Sequence, residues 1–197
     1  MSTPKHRTAP GTSYFVTTKC WQGRSVFQIP ENAETLIETI FHYHERRAYL
    51  LHEFVVMPDH LHLLLTPGAT TSLEKAIQLI KGGSSHQIRK ARNQKIEIWQ
   101  VGFHDWTLRD ATDWQIKREY IHTNPVRAKL VQRPEDWPYS SANGKFSLDT
   151  IPDKFLKLSS GAKAQTTPPF TQGLKPLAPK EDSKIKGAHP QGKVAKA

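Results

Sequence analysis

The chain has 197 residues, enough for one domain with its own hydrophobic core and an appendage, but hardly for two domains. Its formal net charge of +10 favours a polyanionic partner. The sequence shows no apolar run of membrane length, and MSTPKHRTAP lacks the hydrophobic stretch of a leader. Together with the positive charge, these features predict a cytoplasmic, nucleoid-associated protein. The single cysteine, Cys20, excludes an intramolecular disulfide framework and a thiolate-cluster zinc site, and we expect it to be a buried hydrophobic residue.

The first half of the chain predicts three strands and one helix after a flexible N-terminus over residues 1–11. The aromatic and β-branched run TSYFVTTKCW, from Thr12 to Trp21, is typical of a strand. After Pro30, apolar residues at steps of three and four predict an amphipathic helix. The runs YLLHEFVVM and HLHLLLT then predict two strands joined by a tight connection at the dipeptide PD.

The following segments predict a helix, a strand and a third helix. The second helix begins at Ser72, and the adjacent Gly82 and Gly83 are expected to loosen or end its first half. A strand is predicted within KIEIWQVGFHDWTL, and the third helix begins near Thr112, which forms the spacing of a capping box with Gln115. The order β-α-β-β-α-β-α predicts an α+β, ferredoxin-like sandwich over residues 12–150, a four-stranded antiparallel sheet with helices on one face and an additional C-terminal helix.

The positive charge is concentrated at the C-terminal end. Residues 1–153 contain 19 Lys and Arg against 16 Asp and Glu, whereas residues 154–197 contain 9 against 2. Residues 151–197 are rich in Pro and Lys with few periodic apolar positions, which predicts a basic, disordered tail. Such a tail either adds salt-sensitive attraction to phosphate backbones or only increases solubility.

Two histidines interrupt the apolar run PDHLHLLL. In a strand, His60 and His62 point to the same side as Leu64, and the opposite side carries Leu61, Leu63 and Leu65. The pair is either a set of surface or hydrogen-bonded core residues, or two ligands that a stiff strand presents to one cation. Two ligands do not complete a metal site, so a third donor would have to come from another element.

A candidate third donor lies in the last helix, DWQIKREYIHTNPVRAKLV. Tyr120 and Asn124 are four residues apart and therefore share one face of this helix. The amide oxygen of Asn124 suits Mg²⁺ or Mn²⁺ beside imidazoles. Tyr120 is either a nucleophile assisted by nearby positive charge or a half-buried, hydrogen-bonded tyrosine. Pro125 is expected to kink or restart the helix, with Asn124 as a possible N-cap.

Four segments in this order, VVMPDHLHLLLTP, WQVGFHDWTLRD, REYIHTNPVRAKLV and DWPYSSA, strongly resemble the REP-associated tyrosine transposases, relatives of the single-tyrosine HUH transposases. The resemblance runs from about residue 13 to residue 142. It implies a ferredoxin-like catalytic domain in which His60 and His62 bind a divalent metal, Mg²⁺ or Mn²⁺, with Asn124 as third ligand. It also implies that Tyr120 cuts single-stranded DNA near hairpin-forming palindromes through a 5′-phosphotyrosine intermediate, without a nucleotide cofactor.

Recognition of a hairpin and its flanking strand is expected to use basic residues for phosphates and aromatic rings for exposed bases. The candidate nucleic-acid contacts, each of which is otherwise part of a solvated face, are Lys81, Ser84, Arg89, Lys117, Arg118, Arg127 and Arg133. Trp137 and Tyr139 are better explained as anchors for the segment after the last helix. His104 and Asp105 are either a base or extra ligands, or, as we favour, a strand-end histidine with a turn aspartate.

Two rival functions are compatible with the same residues. One is a non-catalytic binding protein for single-stranded nucleic acid, and the other is a metal-dependent nuclease that activates water. The set of His60, His62 and Tyr120 favours the transposase, because a pure binding protein has no use for a nucleophile beside a metal. The short connection before Thr112 favours a site completed within one chain, and hence a monomer over a homodimer.

Overall fold

The computed structural model describes residue 9 and residues 11–156, which belong to one compact unit. Residues 1–8, residue 10 and residues 157–197 lie outside the described part, and so do most of the predicted flexible N-terminus and basic tail. The strands are β1 (Tyr14–Lys19), β2 (Tyr49–Met57), β3 (His60–Pro67) and β4 (His104–Thr107). The α-helices are α1 (Pro30–Glu45), α2 (Leu73–Arg92) and α3 (Ala111–Arg127).

The four strands form one antiparallel sheet in the order β2-β3-β1-β4. This order follows from two helical crossovers, β1-α1-β2 and β3-α2-β4, with β2 and β3 joined directly as a hairpin. The predicted ferredoxin-like arrangement is therefore confirmed. Within the described residues, no helix is both long and apolar enough to cross a membrane.

The two faces of the sheet bury different sets of side chains. Leu61, Leu63 and Leu65 of β3 belong to the main core, together with apolar residues of α1 and α2. Leu64, from the alternate face, belongs to a second core that includes Trp114 and Ile121 of α3. The predicted alternation along β3 is thus confirmed, and α3 covers the face that carries the histidines.

Cys20 lies in the main core and is fully buried, as expected from the sequence. Burial raises the pKa of its thiol to about 12. The side chain is therefore a neutral hydrophobic residue at ordinary pH, and a thiolate nucleophile is excluded at this position.

Helix α2 runs without interruption through Gly82 and Gly83, so the expected break at the double glycine is wrong. The reason lies in the neighbouring helix. A Cβ atom on Gly83 would lie 2.9 Å from Cγ2 of Thr39 in α1, whereas a Cβ atom on Gly82 would meet nothing within 4 Å. Gly83 lets α1 and α2 approach closely, and the packing compensates for its low helix propensity.

Two expectations for α3 are also wrong. Its N-cap is Asp110, whose carboxylate accepts a hydrogen bond from the Asp113 amide at 2.8 Å, so Thr112 is inside the helix and forms no capping box. The helix continues through Pro125 to Arg127, and Asn124 is an interior residue instead of an N-cap. Pro125 lies in the last turn, where the missing N–H affects only the end of the helix.

The chain after α3 returns along β2. The amide of Val56 donates to the carbonyl of Tyr139 at 2.8 Å, and the indole N–H of Trp137 donates to the carbonyl of Val56 at 2.9 Å. The Tyr139 side chain also packs against the main core, so both aromatic residues anchor this segment, as predicted. Phe155 is buried and stacks on Trp114 with ring centroids 4.9 Å apart, so the domain extends past the predicted boundary at residue 150.

The two neighbouring glycines of α2 provide a matched test of this packing. We expect Gly82→Ala to raise the free energy of unfolding by about 0.5–1 kcal/mol, because alanine favours the helix and the site is open. We expect Gly83→Ala to be less stable than Gly82→Ala by about 1–3 kcal/mol, because its Cβ clashes with the buried Thr39. Urea denaturation of both variants measures the difference, and equal stabilities would contradict the close helix contact.

Candidate active site

The strand register defines which side chains surround the two histidines on the face covered by α3. Directly opposed residues on adjacent antiparallel strands point to the same side of the sheet. Read from β2 towards β4, the three rows on this face are Met57–His60–Lys19, Val55–His62–Thr17–His104 and Glu53–Leu64–Phe15–Trp106.

His62 is buried at the centre of this face, with 1% of its surface exposed. Its Nδ1 shares a hydrogen bond of 2.8 Å with the hydroxyl of Thr17, and its ring stacks on Phe15. Burial, and then the nearby positive charges of His60, Lys19 and Lys117, hold the pKa of His62 well below its usual value. The imidazole is therefore neutral in the fold.

The other ring nitrogen of His62, Nε2, is buried and has no hydrogen-bond partner among the described residues. Leaving a buried polar atom without a partner costs about 1–3 kcal/mol, and such atoms are rare in folded proteins. A neutral imidazole nitrogen in this condition is suited to bind a metal cation.

His60 lies beside His62 on the same strand, with ring centroids 4.7 Å apart. Its Nδ1–H donates to the carboxylate of Asp59 at 2.6 Å. Both histidines are thus held through Nδ1, one by a carboxylate and one by a hydroxyl, so Nε2 remains available on each. Metal-ligating histidines commonly have such a partner on the other ring nitrogen.

Tyr120 belongs to α3, the helix that covers this face of the sheet, and its ring packs beside the two histidines. Its ring centroid lies 5.2 Å from that of His62 and 5.8 Å from that of Phe15, edge to face in both cases. The guanidinium of Arg127 lies 5.3 Å from the centre of the Tyr120 ring. The tyrosine, both histidines and a positive charge therefore meet within a single chain.

Asn124 follows Tyr120 by one helical turn, on the same flank of α3, and is nearly buried. The described residues contain no group of three or more His, Cys, Asp or Glu that could hold a metal. A third ligand from this chain beside His60 and His62 would therefore be another residue type. The amide oxygen of Asn124 is a candidate, and together with the unpartnered Nε2 of His62 it is a set of donors that suits a hard divalent cation.

The predicted nucleic-acid contacts divide between the two faces of the sheet. Lys117 lies on the face of the sheet that α3 covers, with its ammonium 5.0 Å from the Phe15 ring and 4.9 Å from the Trp106 ring. Burial lowers the pKa of Lys117. Lys81 and Arg89 lie on α2, which packs against the opposite face. Both donate to backbone carbonyls of residues 96–102, Lys81 to Gln100 and Gly102, and Arg89 to Ile96.

The expectation for Ser84 is corrected by the structure. Ser84 is fully buried, and its hydroxyl donates to the carbonyl of Ile80 while it accepts from the indole N–H of Trp99 at 3.1 Å. It stabilises the packing of α2 and does not reach a phosphate on the surface. Arg133 is exposed and forms an ion pair with Asp136 at 2.6 Å.

His104 and Asp105 both belong to β4, so the aspartate lies in the strand instead of in a turn. His104 is exposed and begins the strand, as expected. Thr17 stands between His104 and His62 in the same row. The structure therefore does not bring His104 next to the two central histidines.

A buried carboxylate that we did not predict from the sequence holds α3 against the sheet. Glu53 of β2 accepts hydrogen bonds from Arg118 at 2.7 Å, from His122 at 2.8 Å and from the Ser141 hydroxyl at 2.6 Å. Burial alone would raise the pKa of Glu53, but these three hydrogen bonds outweigh it, so the pKa is lowered. The one sequence signal for this site is a glutamate within the apolar run LLHEFVVM.

The donors on α3 flank the tyrosine. Arg118 and His122 are each two residues from Tyr120, about 200° around the helix, so they project from the opposite flank. The contact with Glu53 therefore holds this flank of α3 against β2. Arg118, a candidate DNA contact, uses its Nε atom for this ion pair.

Comparison with known proteins gives three related findings. The family model described as "Transposase IS200 like" matches residues 13–124. A REP-associated tyrosine transposase of Escherichia coli is 27% identical over 113 residues, 54% of this chain and 66% of the relative. A candidate REP-associated tyrosine transposase of Haemophilus influenzae is 30% identical over 108 residues, 50% of this chain and 61% of the relative.

The matched regions thus span less than two thirds of either curated relative. Among solved structures, that of a REP-associated tyrosine transposase bound to a REP hairpin superimposes with a TM-score of 0.62 at 26% identity. The superposition covers 83% of this chain and 98% of the solved chain, so the likeness includes nearly all of that structure.

Replacement of Glu53 tests the attachment of α3. We expect Glu53→Gln to lower the free energy of unfolding by about 1–3 kcal/mol, because the neutral amide has one acceptor oxygen for three donors, two of which, Ser141 and His122, are buried or partly buried. Asp136→Asn is the control, since it breaks an exposed ion pair with Arg133 that solvent screens, and it should change the stability much less. Similar losses in both variants would contradict this role for Glu53.

Comparison of the wild type with Glu53→Gln also tests the pH dependence of this contact. Because the pKa of Glu53 is lowered on folding from its ordinary value of 4.5, its contribution is complete above that value and decreases as the pH falls through the folded pKa. We expect the stability difference between wild type and Glu53→Gln to shrink as the pH falls below 4.5. Chemical denaturation at a series of pH values measures it, and a difference that is constant with pH would contradict the assignment.

Proposed function

The chain belongs to the IS200-like transposase family, and from this membership we propose that it cleaves and rejoins single-stranded DNA at hairpin-forming palindromes, with Tyr120 as nucleophile. One observation carries the proposal. The rings of Tyr120 and His62, from a helix and a strand of the same chain, lie 5.2 Å apart, and His62 Nε2 has no partner among the described residues.

In the proposed reaction the phenolic oxygen of Tyr120 attacks the scissile phosphorus in line with the leaving oxygen. A bond forms between this oxygen and phosphorus, and the bond from phosphorus to the 3′-oxygen breaks. The tyrosine loses its proton and the leaving 3′-oxygen gains one. The products are a 5′-phosphotyrosine and a free 3′-hydroxyl, and attack by a later 3′-hydroxyl rejoins the strand.

The residues around Tyr120 would prepare this attack. The guanidinium of Arg127 beside the ring favours the developing phenolate, and Lys117 adds positive charge for the phosphate. We expect His60, His62 and the Asn124 amide to hold a divalent cation, Mg²⁺ or Mn²⁺, whose chemistry is to stabilise negative charge on the phosphate oxygens. Asp59 and Thr17 orient the two imidazoles through Nδ1.

We propose a DNA hairpin with a single-stranded flank as the partner, because the solved relative is bound to a REP hairpin. The contact between Tyr120 and His62 within one chain supports a monomer as the active form. The basic tail, which lies outside the described residues, would add salt-sensitive attraction to the DNA backbone.

The decisive experiment detects the covalent intermediate. The protein is incubated with Mg²⁺ or Mn²⁺ and a hairpin oligonucleotide labelled at its 3′ end, because the tyrosine retains the fragment downstream of the cut. We expect a labelled protein adduct on a denaturing gel, reduced at least about a thousandfold in Tyr120→Phe and abolished by EDTA. Tyr43→Phe, a partly buried tyrosine on α1, is the matched control and should retain the adduct.

Two other outcomes would support the rival functions. Cleavage that survives in Tyr120→Phe would indicate a nuclease that activates water, and binding of the hairpin without any cleavage would indicate a binding protein. Either result would overturn the proposed transposase chemistry.

A second experiment tests the metal ligands without measuring activity. Thr17→Val removes the hydroxyl that holds His62 Nδ1, and we expect the affinity for Mn²⁺ to fall about 10–100-fold. Thr18→Val is the control, because Thr18 is also buried but its hydroxyl has no partner among the described residues. Isothermal titration calorimetry measures both affinities, and equal affinities would exclude this role of Thr17.

A further inference from the structure

Trp106 is a large aromatic residue at an exposed position beside the candidate active site. It lies on the edge strand β4 with 42% of its surface exposed. In the register it is directly opposite Phe15, whose ring contacts both His62 and Tyr120. Trp106 is therefore on the same face of the sheet as the histidines, one strand outward from the phenylalanine that packs against the tyrosine.

Two cationic side chains accompany this ring. The ammonium of Lys117 lies 4.9 Å from the Trp106 ring and 5.0 Å from the Phe15 ring, so it bridges the two aromatic residues. The guanidinium carbon of Arg109 lies 5.8 Å from the Trp106 ring. The exposed indole is thus next to two positive charges. One of them, on Lys117, also contacts Phe15 beside the candidate active site.

The ring is also held in a defined orientation. Asp113, in the first turn of α3, is hydrogen-bonded to Trp106 and accepts from the Arg109 Nε at 2.8 Å. Because the donor of the indole is used within the protein, the exposed part of Trp106 offers mainly aromatic surface to the solvent. An aromatic side chain that is already oriented loses little conformational entropy when a ligand stacks on it.

We propose that Trp106, with Lys117 and Arg109, binds an unpaired nucleotide of the DNA strand that leads from the hairpin to Tyr120. The base stacks on the indole, and the two cations contact the adjacent phosphates. An unpaired nucleotide combines an aromatic plane with a negative charge and matches both features of the site, whereas an apolar peptide would match only the ring. This inference rests on the proposed function, because it assigns a position to the flanking strand of the same substrate.

The test compares hairpins with and without a flanking strand. Binding is measured in EDTA, which prevents metal-dependent cleavage, with three oligonucleotides: the bare hairpin, the hairpin with a 5′ flank and the hairpin with a 3′ flank. We expect Trp106→Ala to weaken binding of one flanked hairpin about tenfold and to leave the bare hairpin unchanged. Trp106→Phe, which keeps an aromatic plane, should recover most of the loss.

Leu50→Ala is the matched control. Leu50 is a similarly exposed apolar residue, at 36%, on the opposite edge strand β2, so its truncation should change none of the three affinities. If Trp106→Ala weakens all three oligonucleotides equally, or none of them, the stacking site is wrong. Covalent adduct formation by the wild type reports separately on the proposed function.

Photocrosslinking tests the site without any substitution in the protein. A 5-iodouracil placed at successive positions of the flank is irradiated in complex with the wild type, and the crosslinked peptide is identified by mass spectrometry. We expect the crosslink on Trp106. Crosslinks that appear only on residues outside β4 and the first turn of α3 would overturn the proposal.

Discussion

The hydrogen bonds to the buried carboxylate of Glu53 are the constraint on which the geometry of the site depends. An unpaired carboxylate in this position would be costly, and three donors from α3 and from the segment after it compensate for its burial. Because Arg118 and His122 project from one flank of α3, Tyr120 and Asn124 lie on the other flank, from which the Tyr120 ring contacts His62. This ion-paired cluster, together with the packing of Trp114 and Ile121 in the second core, thus fixes which residues of the helix face the sheet.

The two faces of the sheet have different roles: one packs the main core, and the other carries the residues of the candidate active site. The face under α1 and α2 is apolar and closely packed, as the contact between Gly83 and Thr39 illustrates. The face under α3 mixes apolar residues such as Leu64 with His62, which keeps a buried nitrogen without a partner among the described residues. Local violations of good packing and polar satisfaction are typical of functional sites, and here the violation is at the residue proposed to bind a cation.

The positive residues also differ in role according to their position. Lys81 and Arg89 on α2 donate to backbone carbonyls, and Arg118 pairs with Glu53, so these cations hold the fold together. Lys117 and Arg127 lie instead against the aromatic rings beside the candidate active site. Net charge therefore does not identify the DNA-binding surface, since the same side-chain chemistry serves structure on one face and the proposed function on the other.

The sequence by itself determined the features that depend on local periodicity and on motif order. Period-two alternation placed His60 and His62 on one face of a strand, a spacing of four placed Tyr120 and Asn124 on one flank of a helix, and the order of the segments predicted both fold and family. Only the tertiary structure decided that α2 continues through its glycines, that Ser84 is buried and that Arg118 forms an ion pair with Glu53, 65 residues away. These outcomes depend on contacts between segments that are distant in the chain, and local propensity contains no information about which distant side chain will be the neighbour.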